Sequence, residues 1–168
     1  GISPDLLHTS AKTRGWAVSQ SQHVVVTEVG PRDGLQNECA VICTQDKVRL
    51  VDQLSNTGLT EIEVSAFVRP DRVPQLADAS DVFASIERRP GVIYSALVPN
   101  ERGLDRALAS QVDKISLFAA ASESFSQANT NASIAETLHR FEPVVDRCNQ
   151  LGMPVRVYIS CAVACPYE

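Results

Sequence analysis

Short apolar runs of strand character alternate along this chain with longer stretches of helical periodicity. Residues 24–26, three consecutive valines, read as a first buried strand that ends where Gly30, Pro31 and Gly34 interrupt it. Over residues 44–56 the apolar positions Val48, Leu50, Val51 and Leu54 recur near helical spacing, with Thr44 as N-cap and Asn56-Thr57-Gly58 as stop. Glu61-Ile62-Glu63-Val64-Ser65 alternates with a period of two, which predicts a second strand. Glu61, Glu63 and Ser65 should share one of its faces, and Ile62 and Val64 the other. Beyond a loop bracketed by Pro70 and Pro74, the pattern predicts a helix over 75–88, a strand over 92–98 and a short helix over 102–110. It continues with a strand over 112–118, a loop over 119–125, a long helix over 132–151 capped by Asn131, and a fifth strand over 155–162. Strands recur about every thirty residues, the rhythm of βα units feeding a parallel sheet. In an antiparallel sheet the Glu61/Glu63 face could lie in water; in a closed parallel barrel it must point inward, near the mouth.

Composition narrows the class. The chain has 168 residues, 44% of them hydrophobic, with 15 basic against 20 acidic side chains and a net charge of −5. That balance offers no basic footprint for nucleic acid, and no apolar run approaches the ~18 residues of a membrane span. Residues 1–20 lack the apolar core of a secretory signal and read as a tail or processing remnant. Asp5 is the only acid before Glu28, which leaves a mitochondrial targeting remnant open. Five cysteines, an odd number without a secretory signal, favour reduced thiols inside a cell. Cys39/Cys43 and Cys161/Cys165 have Cys-x3-Cys spacing that a four-cysteine zinc site could use; small buried residues near strand ends are the expected alternative.

The stretch that organises the chemistry is Thr27-Glu28-Val29-Gly30-Pro31-Arg32-Asp33-Gly34-Leu35-Gln36-Asn37-Glu38. Neighbouring side chains point to opposite faces of a strand, so Arg32 and Asp33 can serve one pocket only where the strand ends. Parallel α/β proteins build their sites there. Taken alone, the pair also fits a surface ion pair in a turn. The whole string resembles the signature of the hydroxymethylglutaryl-CoA lyase family, within the metal-dependent lyase and condensing-enzyme superfamily. Condensing relatives such as isopropylmalate synthase have Thr-Leu before the Arg and an acidic residue before the Gln. Gly30-Pro31 and Leu35 stand there in this chain and point to the lyase branch. The resemblance extends through Glu61-Ile62-Glu63-Val64-Ser65-Ala66-Phe67, Val73-Pro74-Gln75-Leu76-Ala77-Asp78, the 118–123 and 156–160 segments, and Cys161-Ala162-Val163-Ala164-Cys165-Pro166-Tyr167-Glu168.

The resemblance implies a (β/α)8 TIM barrel, here incomplete with about five strands and four helices, so that residues 21–168 form the N-terminal portion of a longer lyase domain. It implies cleavage of 3-hydroxy-3-methylglutaryl-CoA to acetoacetate and acetyl-CoA, with a divalent cation, Mg²⁺ or Mn²⁺. Asp33 matches the family's carboxylate ligand. Arg32 is the expected catalytic and substrate-binding residue beside the thioester carbonyl, and Glu63 the second catalytic candidate. The work of Glu63 stays open between orienting Arg32 or a water, proton transfer, and a purely internal salt bridge. Gln36 is expected to reach the substrate or to stabilise a turn, Glu28 to support from behind, and Tyr158 and Ser160 to line the interior as packing. The family's His-x-His pair, asparagine ligand and loop cysteine have no counterpart here: His8, His23 and His139 are far apart, and His139 should be exposed. This stretch by itself is therefore expected to be inactive. No glycine-rich phosphate loop marks a CoA site, which leaves the phosphates to loops of later strands. An acyl-CoA substrate, a homodimer, and a cytoplasmic or mitochondrial-matrix setting complete the expectation, with neither nucleic acid nor membrane as partner.

Overall fold

A computed structural model of the chain describes residues 24–168. The expected tail over 1–20, with His8, and His23 lie outside the described residues. Strands β1 (Thr27–Glu28), β2 (Glu61–Ala66), β3 (Ile93–Leu97), β4 (Lys114–Ala120) and β5 (Val155–Ser160) follow one another in a single sheet, in chain order and all parallel. The helices are α1 (Thr44–Leu54), α2 (Ala79–Ser85), α3 (Glu101–Ala109), α4 (Glu123–Thr130) and α5 (Ile134–Leu151). This is the expected partial TIM barrel. Parallel neighbours need crossover connections, and the helices supply them while covering one face of the sheet.

Strand register explains how that sheet sorts its side chains. Glu61, Glu63, Ser95, Lys114, Ser116, Arg156 and Tyr158 fall on one face by their pairing. Ile62, Tyr94, Ala96, Ile115 and Leu117 fall on the other and enter the hydrophobic core with Val51, Val82, Phe83, Leu104 and Val144 from the helices. All six residues of β2 are buried, as befits a strand covered on both faces. The expectation that Ser65 continues the Glu61/Glu63 face is corrected. Register slips between Glu63 and Ser65, which pair with Ser95 and Ala96, so Ser65 shares the face of Ile62. An extra residue in a strand reverses the alternation beyond it.

Other expectations shift for local reasons. Val24, Val25 and Val26 are exposed rather than buried, because no described element covers them; the strand is only Thr27–Glu28, paired to β2 alone. The helix expected over 75–88 is a 3₁₀ turn, Pro74–Leu76, followed by α2. The Asp78 carboxylate, before α2, accepts from Lys47 Nζ (2.6 Å) and Thr44 Oγ1 (2.7 Å). Thr44 is therefore not a cap; Cys43 holds that position without a side-chain cap bond. Lys47 can be buried because the Gln75 carbonyl also accepts from its ammonium, at 2.5 Å. The expected 119–125 loop contains the end of β4 and the start of α4, whose N-cap is Ser122, so α-helices among the described residues number five rather than four. Asn131 ends α4 in a left-handed conformation, and the α5 cap is Ser133, in a capping box with Glu136.

Helix α3 lies close against the end of β2. A Cβ at Gly103 would sit 2.8 Å from the Phe67 carbonyl oxygen and 3.2 Å from Pro99. Because the obstruction is backbone, Gly103→Ala is expected to cost about 1–3 kcal/mol through forced displacement. Urea unfolding of the variant beside wild type measures this, and equal stabilities would refute the close-approach account.

Candidate active site

After β1 the chain makes a five-residue π-helical turn, Gly30–Gly34, with Pro31 buried at its start. Glu28 holds that turn: its Oε1 accepts from the Gly30 amide at 2.6 Å, in space a Cβ at residue 30 would enter. The Asp33 amide donates to the Val29 carbonyl at 2.7 Å, and Asn37 Nδ2 donates to the Asp33 carbonyl, also at 2.7 Å. So braced, the turn projects Arg32 over the interior face of the sheet.

Arg32 Nε donates to Glu63 Oε1 at 2.5 Å and Nη1 to Asp33 Oδ1 at 2.6 Å. The Glu63 side chain is fully buried, and its other oxygen accepts from Ser116 Oγ (2.6 Å) and Tyr158 OH (2.8 Å). The guanidinium also stands 5.9 Å from the Tyr158 ring centroid. Burial pushes the Tyr158 phenol above its ordinary range, with the Glu63 charge adding to it against Arg156, so the hydroxyl stays protonated and donates. Glu63 thereby gathers donors from the loop after β1, from β4 and from β5. Arg32 Nη2 keeps donor capacity without a protein acceptor among the described residues.

The structure thus brings Arg32, Asp33 and Glu63 together as expected. Gln36 is half-buried two residues beyond the π-helical turn but makes no hydrogen bond to that cluster among the described residues. Tyr158 does more than pack, and Ser116 went unremarked in the sequence; both lie two residues from other interior positions of their strands, a signal usable only once register is known. Ser160 shares the same face by register. His139 is exposed and pairs with Glu142 on α5. Of the cysteines only Cys148 is buried, within α5 rather than near a strand end; Cys39 and Cys43 are exposed and all five are unbridged. The four-cysteine zinc reading is not met, since no three metal-ligating side chains cluster among the described residues.

One layer nearer the start of β2, Glu61 makes a bidentate pair with Arg156 (2.6 and 3.0 Å) and accepts from Lys114 Nζ at 3.0 Å. Burial opposes its charge, but Lys114 and Arg156 outweigh that and hold the carboxyl below the usual range.

With this geometry in view, the family described as HMGL-like matches residues 23–168. The chain belongs to the HMGL-like family. It is 54% identical over 145 residues to the 3-hydroxy-3-isohexenylglutaryl-CoA/hydroxy-methylglutaryl-CoA lyase of Pseudomonas aeruginosa, covering 86% of this chain and 48% of that protein. It is 50% identical over 147 residues both to a cytoplasmic 3-hydroxy-3-methylglutaryl-CoA lyase of Rattus norvegicus and to a mitochondrial hydroxymethylglutaryl-CoA lyase of Gallus gallus. Those alignments cover 88% of this chain, and 43% and 49% of the relatives. The crystal structure of the Pseudomonas aeruginosa lyase superposes with a TM-score of 0.84 over 86% of this chain and 48% of that one. The chain spans about half the length of the curated relatives it matches. Among the described residues no helix is long and apolar enough to cross a membrane.

HMGL-like proteins are in general dependent on a divalent metal. Asp33 fits such an ion as one hard oxygen donor: its side chain is 57% exposed, and Arg32 takes only Oδ1. Among the described residues no group of three or more His, Cys, Asp or Glu side chains that could hold a metal is gathered.

Glu61 yields a pH prediction. Its folded-state pKa is depressed, so its contribution to stability is complete above the unfolded value near 4.5 and is lost as pH falls through the folded value. Glu61→Gln is expected to destabilise by about 3 kcal/mol at pH 7, and the gap from wild type to shrink as pH falls below 4.5. Denaturant titrations at pH 7 and pH 3.5 check this; a gap independent of pH contradicts it.

Proposed function

We propose that the protein carrying this chain is a carbon–carbon lyase that cleaves 3-hydroxy-3-methylglutaryl-CoA to acetoacetate and acetyl-CoA. The observation that carries the reading is Arg32, fixed at Nε by a fully buried carboxylate with Nη2 left to donate. Relatives near 50% identity that bear this activity in their names support it.

Breaking the bond requires removal of the tertiary hydroxyl proton and stabilisation of the thioester enolate that departs. In this reading Arg32 lies beside the thioester carbonyl oxygen, where negative charge grows in the transition state. The guanidinium is preorganised, because the Glu63 carboxylate, held by Ser116 and Tyr158, fixes its orientation. Both Glu63 oxygens already accept hydrogen bonds, which favours the orienting role over proton transfer. Asp33 is assigned as a carboxylate ligand to Mg²⁺ or Mn²⁺, whose chemistry when bound is to acidify the substrate hydroxyl. Gln36, half-buried two residues beyond the π-helical turn, is assigned a binding contact. The Pseudomonas aeruginosa relative's name favours testing a second substrate with a longer 3-substituent, the isohexenyl analogue.

The test is conversion of 3-hydroxy-3-methylglutaryl-CoA by the full-length protein with Mg²⁺ or Mn²⁺, scored as acetoacetate and acetyl-CoA formed. Activity is expected to vanish on chelation. Arg32→Lys, which loses the fork geometry, is expected to lower kcat by about 10²–10³. No cleavage of either thioester by the metal-supplied protein would overturn the reading, as would an Arg32→Lys enzyme within a few-fold of wild type.

A further inference from the structure

The turn after β5 brings together two of the cysteines that the fold leaves unbridged. Cys161-Ala162-Val163-Ala164-Cys165 follows Ser160 directly, and Val163 at its tip is exposed. The Cys165 sulfur accepts from Ser122 Oγ at 3.0 Å and from the Tyr167 amide at 3.4 Å, and the Cys161 thiol is its third donor. Ser122 is the N-cap of α4, so these donors gather at the positive end of that helix. Burial works against ionisation of Cys165, but the Ser122 hydroxyl, the Tyr167 amide and the Cys161 thiol outweigh it and hold this thiol below its ordinary range. Cys161 moves the other way: burial, and then the hydrogen bond to Cys165, push it up. Cys161 also carries a left-handed backbone, with φ of 59°. A residue with a Cβ adopts that conformation at a cost, and such outliers gather where function keeps them. Both cysteines are only half-buried.

We propose that Cys161 and Cys165 form a dithiol modification site, with Cys165 the nucleophile and Cys161 the resolving thiol, which small neutral hydroperoxides oxidise to an intramolecular disulfide. The Cys165 thiolate attacks the terminal peroxide oxygen. The O–O bond breaks, the sulfur becomes a sulfenic acid, and the departing alkoxide or hydroxide takes up a proton. The Cys161 sulfur then attacks the sulfenic sulfur. A sulfur–sulfur bond forms, the sulfur–oxygen bond breaks, and the hydroxyl leaves with the Cys161 proton as water. The two sulfurs together lose two electrons, and the peroxide gains them. Glu168 selects the oxidant: its carboxylate accepts from the same Ser122 hydroxyl at 2.8 Å, which sets a negative charge beside Cys165. A neutral peroxide approaches that sulfur without repulsion, whereas an anionic disulfide such as glutathione disulfide is repelled. Neither cysteine belongs to the Arg32–Glu63 cluster, and the site stands whether or not the lyase reading does.

The test is peptide mass spectrometry on the full-length protein after treatment with hydrogen peroxide and alkylation of the remaining thiols, beside alkylation rates measured against pH. Wild type is expected to show a Cys161–Cys165 bridge that dithiothreitol reverses. In Cys161→Ser the bridge cannot form, and dimedone should trap a sulfenic acid at Cys165. In Cys165→Ser, Cys161 should stay a free thiol. Alkylation of Cys165 should titrate with a midpoint below the ~8.5 of a free cysteine. Ser122→Gly removes the hydroxyl while leaving a residue tolerated at an N-cap, and should slow peroxide oxidation of Cys165 by about 5-fold. An unchanged unfolding transition shows that α4 survives the change. Glu168→Gln should raise the rate with glutathione disulfide more than the rate with peroxide. Peroxide-treated wild type with no Cys161–Cys165 bridge, or with either cysteine bridged elsewhere, overturns the proposal. A sulfenic acid trapped at Cys161 in Cys165→Ser, or equal peroxide rates in wild type and Ser122→Gly, would overturn it too, by removing Cys165 as the activated nucleophile.

Discussion

The buried carboxylate of Glu63 is the constraint on which the interior depends. A fully desolvated charge is tolerable only when its oxygens are matched by donors. Here those donors come from three separate places in the chain: Arg32 after β1, Ser116 in β4 and Tyr158 in β5. Register of the sheet and closure of the π-helical turn must both be correct for all of them to arrive. A core of apolar side chains on the opposite face secures the strands, while the polar face sets which strand positions must align. Burial and charge thus act on opposite faces of one sheet.

The interior is layered along the strand direction. In the layer nearer the strand starts Glu61 lies between two cations, Lys114 and Arg156, and both of its oxygens are paired. Glu63 forms the next layer, where one partner, Arg32, lies at the edge with a donor to spare. Structural and chemical duties are separated by two residues of one strand, which is one period of the pleat.

Much of this was legible in the sequence. The Glu61-x-Glu63 alternation announced an inward polar face, and the string around Arg32 and Asp33 announced a strand end with chemistry. The slip beyond Glu63 was not legible, because an added residue in a strand leaves the hydrophobic pattern of β2 unchanged when both faces are buried. Helix α4 was missed because its residues, polar except for Phe125 and Ala128, lack a continuous apolar stripe, and its short cap at Ser122 resembles a turn. The break before α2 comes from partners far away in sequence, Lys47 and Thr44, that claim Asp78. The three valines before β1 misled for the converse reason: apolar character buries a strand only when something covers it. Ser116 and Tyr158 joined the site only through pairing across the sheet.

Glu63 acts through Arg32, and that coupling is measurable. A double-mutant cycle on kcat, with Arg32→Lys, Glu63→Gln and the pair combined in the full-length protein, tests it directly. The account predicts that Glu63→Gln, costly by itself, adds little once Arg32 is replaced, since its work is to hold that guanidinium. Multiplying costs in the double variant would contradict it and give Glu63 a step of its own in the reaction.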